Sequence, residues 1–351
     1  MKKVLLVFLL AFALVMTACG NETSTPATEA EADADTTVED TGADNAPSSD
    51  AEVNLKATHA VAPTHPYHLG LEKFAEIVAE KTDGRVKIDI FHSGQLGNER
   101  DSIEGLQLGT VDIAVSSTAP IGTFVKDFQM LDLPFIFEDY ATADEQLDGE
   151  LGQALLAKLE PLGVIGGAFW ENGFREITTS EDWGPIESVE DLKGLKIRTQ
   201  ESEVHMNAFK ELGADPTPMA FSEVFTSLQS GVLDAQENPV PIIYNNKLYE
   251  AQANLSLTNH FYSPSTILFS KKMFDGLDAE TQQIFMDAAK EAALYEREQI
   301  RKQEAEQVGL LKEEGMNIVE PDTTSFREAV QPVYEQYQNE FDAELMNLLL
   351  K

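Results

Sequence analysis

The chain contains one cysteine, Cys19, so it can form neither an internal disulfide nor a thiolate zinc cluster. Bases are scarce as well: 25 Lys and Arg stand against 61 Asp and Glu, a formal net charge of −36. Phosphate binding needs a basic face, so this balance excludes nucleic acid as a partner. It also repels anions at long range, which means that any anion site must be local. Only seven arginines occur in the whole chain, and each one in an apolar setting is therefore informative. Catalytic signatures are missing too: there is no H-E-x-x-H, no G-x-S-x-G and no P-loop. Paired carboxylates discriminate nothing in so acidic a chain. The reading is a non-enzyme without a cofactor.

What is present begins with an export signal. Lys2-Lys3 is followed by the apolar run Val4–Val15 and by Met16-Thr17-Ala18-Cys19. The run is short of the roughly 20 residues that a spanning helix needs. Small residues before the cysteine resemble the lipobox of bacterial lipoproteins, which implies cleavage before Cys19 and lipidation of its sulfur. Residues 1–19 are thus expected to be a lipoprotein signal peptide. Residues 20–52 hold ten acids, no base and almost no large apolar side chain. Such a segment cannot bury enough surface to offset chain entropy and is expected to be a disordered, self-repelling tether. Setting aside those ten acids and the two leader lysines leaves 51 acids against 23 bases, so the body alone is near −28.

The body opens with strand-like Val53–Ala60, then an amphipathic stretch, Tyr67–Thr82, stopped by Gly84. Arg85–Phe91 alternates as a strand, Arg100–Leu108 reads as a helix, and Val111–Ser117 as a buried strand. This β-α-β-α-β order predicts an α/β lobe. Further on, Thr142–Leu159 reads as one helix and Val164–Trp170 as a strand delivering Glu171–Arg175. Strand material recurs at Tyr249–Leu257 and Phe261–Phe269. Asp278 caps a helix from Ala279 to about Glu314, long enough to reach on the order of 50 Å. Residues 323–351 predict a terminal helix packed back on the body.

Residues 194–241 concentrate the remaining signals. Lys196-Ile197-Arg198 reads as a half-buried edge strand, Ser202 as the cap of a helix stopped by Gly213, and Asp215–Pro218 as extended chain. Ser222 is the expected cap of a second helix, Glu223–Gln229, and Asn238 is held extended before Pro239. The motifs K-I-R (196–198), L-G-A-x-P-T-P-M (212–219), F-S-E-V-F (221–225) and D-A-Q-E-N-P (234–239) resemble those of the DctP family, the solute-binding proteins of TRAP transporters. S-G-Q-L-G (93–97), D-L-P-F-I-F (132–137) and N-G-F-R-E-I-T (172–178) extend the resemblance to nearly all of the chain from Lys56 onward.

The resemblance implies a two-lobed, periplasmic-binding-protein-like α/β fold with a hinged cleft and a long helix spanning both lobes. Lobe I is expected to comprise residues 53–172 and about 264–300, and lobe II residues 173–263 and about 301–351. It implies an extracytoplasmic receptor, lipid-anchored on the outer face of the cell membrane, that delivers a small organic acid to the small and large membrane subunits. Arg198 would grip the ligand carboxylate, Arg175 would assist and Asn238 would complete the clamp, while Glu237 orients an arginine. A guanidinium suits the first role because its planar fork matches a carboxylate and keeps its charge. From the opposite lobe, Glu99 could accept from ligand hydroxyls or could be only a helix-start acid. Ser116 and Ser117 end a buried strand, where α/β sheets place ligands. Trp170 and Phe221 are candidates for cleft walls, with plain core as the competing reading. A hexuronate and a C4-dicarboxylate are the leading ligands, with a sialic-acid-like sugar acid or a keto acid as others. The rival class is a metal-binding or other substrate-binding lipoprotein, suggested by His59, His65 and His68. Against it, zinc needs three or four convergent ligands, and His65-x-x-His68 straddles a helix start.

Overall fold

Alternation of apolar and polar residues fixes which face of each strand is buried, and the first part of the body folds as that pattern predicts. The computed structural model describes residues 52–351; the leader, Cys19 and nearly all of the acidic segment lie outside them. Strands β1 (Val53–Thr58), β2 (Val86–Phe91) and β3 (Ile113–Ser117) are joined by helices Pro66–Lys81 and Glu99–Leu108. After the long strand β4 (Val164–Thr179), the connectivity repeats. Here β5 (Lys196–Thr199), β6 (Asp215–Pro218) and β7 (Ala235–Pro239) are joined by helices Glu203–Glu211 and Phe221–Gln229. A second long strand, β8 (Asn254–Ser270), and the short β9 (Asn317–Val319) complete one sheet, in the order β2-β1-β3-β8-β4-β7-β5-β6 with β9 on β8.

Each end of the sheet is a parallel three-strand set with its first strand in the middle. Antiparallel β4 and β8 are shared between the two sets, which gives a two-lobed α/β architecture. Apolar cores flank the sheet, and neighbouring residues such as Ile113 and Ala114 point into different ones. The helix Ala279–Glu313 packs on the first helix of one lobe, on β4, and on Val240–Asn245 of the other lobe, so it spans both. Asp278 caps it, its side chain accepting from the Thr281 N–H.

Several elements differ from the sequence reading. Val164–Trp170 does not end at Trp170 but continues to Thr179, because β8 and β7 pair with it on either side. Within the extension, Gly173 sits at an irregularity of register with φ +112. Likewise Tyr249–Leu257 and Phe261–Phe269 merge into the single strand β8, while Leu248–Glu250 is a helical turn. The helix expected over Thr142–Leu159 is two, Tyr140–Asp148 and Glu150–Ala157. Gly149 breaks it in an extended conformation, where a Cβ would lie 2.7 Å from the Glu145 carbonyl. Ser222 is not a cap, since Ala220 is already extended and the helix starts at Phe221. The terminal segment forms three short helices rather than one. Finally, Lys196–Thr199 is no edge: β6 covers it on one side and β7 on the other, and this buries Arg198.

Close packing of the spanning helix depends on Gly70. A Cβ there would meet Trp170 Cζ3 at 2.6 Å and Glu296 Cβ at 3.0 Å. Gly70→Ala should cost about 1–3 kcal/mol by overpacking, seen as a lower melting temperature. Unchanged melting would contradict the contact.

Candidate functional site

Arg198 occupies the third position of β5 and is 3% exposed. Its Nε and Nη2 donate to the Met219 carbonyl at 3.0 and 2.7 Å. Nη1 is buried without a partner, and among the described residues no carboxylate lies within ion-pair distance of this guanidinium. Burial pushes its pKa down to about 10, so the group remains charged at neutral pH. A desolvated cation without an acid is costly and therefore uncommon. The site is built around it.

Arg175, on β4, is in a different state. Its Nε and Nη2 engage both carboxylate oxygens of Glu237, and Nη2 also donates to the Glu237 carbonyl at 2.6 Å. Both side chains are fully buried. Burial alone would raise the Glu237 pKa, but the guanidinium overrides it and holds the carboxyl well below the usual range. Asn238 accepts from Arg175 Nη2 at 3.2 Å and donates from Nδ2 to Gln236. Arg175 Nη1 points toward Ser263 Oγ at 3.5 Å, and Asn172 Nδ2 reaches the same hydroxyl at 3.4 Å.

The opposite wall comes from the first lobe. Glu99 starts its helix next to the capping residue Asn98, and its carboxylate turns toward the end of β3. It accepts from the Ser117 N–H at 2.6 Å and from Ser117 Oγ at 2.9 Å. Burial raises its pKa, while the Ser117 donors, Arg198 and Arg175 pull it back. Gln200 Nε2, from the chain just past β5, donates to Ser117 Oγ at 2.8 Å and ties the two walls together.

Arg198, Glu99 and Phe221 thus line one cleft, with Gln200, Glu201 and Met219. Arg175 and Asn238 lie beside it as a bonded pair with Glu237. Two candidates are placed elsewhere. Trp170 is fully buried against Gly70, and its Nε1 donates to the Ala289 carbonyl at 3.4 Å; it is core. Ser116 Oγ donates back to the Ser117 carbonyl at 3.0 Å, so the hydroxyl at the cleft is that of Ser117. Gln200 and the Met219 carbonyl escaped the sequence reading, although Gln200 follows K-I-R-T directly.

Two other features carry less chemistry. A groove of about 660 Å³ between β4 and the spanning helix is lined by Leu156, Phe169 and Leu294 and shares no residue with the cleft. His65 is occupied as a helix cap, and His59 Nε2 lies 3.0 Å from His68 Nδ1. Among the described residues, no group of three or more His, Cys, Asp or Glu is arranged to hold a metal ion.

The segments that build this cleft fall within residues 57–340, which match the family described as bacterial extracellular solute-binding protein, family 7, or DctP. The chain belongs to that family. A TRAP periplasmic solute-binding protein from Polaromonas sp. JS666, solved bound to D-erythronate, is 42% identical with a TM-score of 0.83, over 85% of this chain and 98% of that one. A solute-binding protein of Verminephrobacter eiseniae is 40% identical over 83% of this chain and 87% of its own length. The 2,3-diketo-L-gulonate-binding periplasmic protein of Escherichia coli is 37% identical over 81% and 86%. A family-7 protein of the TRAP type is an extracytoplasmic transport receptor, not an enzyme.

Proposed function

We propose that this receptor holds a small organic acid by its carboxylate at Arg198, between its two lobes. It then hands the acid to the small and large membrane subunits of a TRAP transporter. A single observation carries the reading: Arg198 is a buried guanidinium with a donor to spare and, among the described residues, no acid within ion-pair distance. Arg175 contributes through Asn238 and Ser263 and is oriented by Glu237. The acids bound by the two relatives, D-erythronate and 2,3-diketo-L-gulonate, are consistent with a hexuronate. A C4-dicarboxylate is the alternative.

Binding works by hinge closure. The lobes divide as residues 53–172 with about 264–300, and 173–263 with about 301–351. The crossings between them run along β4, β8 and the spanning helix, and the β4–β8 register shifts between Glu171 and Gly173 and between Arg175 and Ile177. The cleft at Arg198 measures about 10 Å³ in this state, so a ligand of several carbons enters only when the walls part. Ligand contacts that exist only in the closed form then shift the population toward it. Excluding water strengthens the arginine–carboxylate contact. Titrating the purified receptor with hexuronates, aldonates and C4-dicarboxylates tests the reading. One of them should bind and be recovered chemically unchanged, with affinity unaffected by a chelator. A turnover product, or binding lost to chelation and restored by zinc, would overturn it.

The anchor is the second part of the proposal. Cys19, after small residues and a short apolar run, takes a lipid and holds the receptor on the outer face of the membrane. The wild type should partition with membranes, and Cys19→Ala should be released or retained as precursor. A wild type wholly soluble and cleaved at another residue would contradict the anchor.

A further inference from the structure

We infer that the cleft selects a singly charged, hydroxylated acid and discriminates against C4-dicarboxylates, with Glu99 as the selecting residue. This rests on the reading that Arg198 receives a carboxylate, and it narrows that reading to one ligand class. The argument starts from the charges at the cleft. Arg175 is neutralised by the bidentate grip of Glu237, which leaves Arg198 as the cation with free donors. The cleft's lining has no lysine; its other charged residues are the acids Glu99 and Glu201. One carboxylate therefore matches Arg198. A second, a few carbons further along the chain, would find no cation and would face carboxylates.

Hydrogen bonding makes the same choice. Glu99 Oε1 accepts from the Ser117 N–H, which can only donate, so that oxygen acts as an acceptor. Ser117 Oγ takes the Gln200 amide proton and directs its own toward Glu99. Gln200 Oε1, also at the cleft, is buried without a donor. These groups want protons from a ligand. The hydroxyls of an aldonate or uronate supply them, whereas succinate and fumarate have none to give in their ionised form. The erythronate and diketogulonate bound by the two relatives are hydroxylated monocarboxylates, in line with this wall.

Calorimetric titration of the purified receptor with D-erythronate, D-glucuronate, succinate and fumarate is the test. At least one hydroxylated acid should bind at least about a hundredfold more tightly than either dicarboxylate, because like charges across an interface cost several kcal/mol. Glu99→Gln removes the opposing charge at nearly constant shape, and it should shrink that ratio by about tenfold or more. Equal or tighter binding of succinate or fumarate would overturn the inference, and so would an unchanged ratio in a Glu99→Gln protein that melts like wild type. Should the variant fail to fold, the wild-type ratio alone decides. If dicarboxylates bind best and Arg198→Ala abolishes that binding, the selectivity fails while the carboxylate reading stands. If no acid of either class binds, the carboxylate reading itself falls, and this inference with it.

Discussion

Replacing Arg175 by alanine should destabilise the receptor by about 3–5 kcal/mol, the usual cost of stripping one partner from a buried ion pair. The loss would leave Glu237 fully buried, with the His260 imidazole Nε2 3.5 Å away. That imidazole is itself held neutral by burial, which lowers its pKa. The melting temperature should fall by on the order of 10 °C. Glu237→Gln should act in the same direction, since it strands Arg175 instead. The pH dependence follows from the depressed carboxyl. A group whose folded pKa lies below its unfolded value, here 4.5, contributes stability that is fully present above that value and lost as pH falls. The wild type should therefore weaken below about pH 4.5 through this pair, and Arg175→Ala should lose much of that dependence. Melting within about 2 °C of wild type would show that the pair is not structural.

Arg198 should behave in the opposite way. Its partner within the protein is a backbone carbonyl, and no acid is stranded when it is removed. Arg198→Ala gives up two hydrogen bonds to Met219 but also releases the cost of a desolvated cation, so the ligand-free protein should melt close to wild type. Binding should suffer instead. Losing one partner of a desolvated charge pair costs about 2–5 kcal/mol, roughly thirtyfold to several-thousandfold in affinity. Arg198→Lys should rescue little, because an ammonium lacks the planar fork that spans both Met219 and a carboxylate. The two substitutions should thus separate, Arg175→Ala losing mainly stability and Arg198→Ala mainly binding.

Much of this was readable from residue order. The β-α-β-α-β order of the first lobe, the capped spanning helix and the extended Asp215–Pro218 all follow from local chemistry, and the motifs around Arg198 singled out the residue on which the proposal rests. The remainder depended on partners distant in the chain. The strand expected to end at Trp170 runs on to Thr179 because β7 and β8 pair with it on both sides, and Gly173 with its positive φ is an irregularity within it. Arg175 and Glu237 are 62 residues apart, so nothing local tells a fork closed by an acid from one left open. Trp170 is as apolar as a cleft wall should be, and only the approach of Gly70 and the spanning helix makes it core. Gln200 carries no motif of its own; its role appears once the tip of β3 is brought within 2.8 Å.

The claim at the centre is that Arg198 is the receptor's carboxylate-binding cation. It is tested most directly by titrating Arg198→Ala and wild type, side by side, with the acid that binds wild type best, after both are shown to melt alike. The account predicts binding lost by at least about thirtyfold in a variant that is fully folded. Near-wild-type affinity in that folded variant would contradict it.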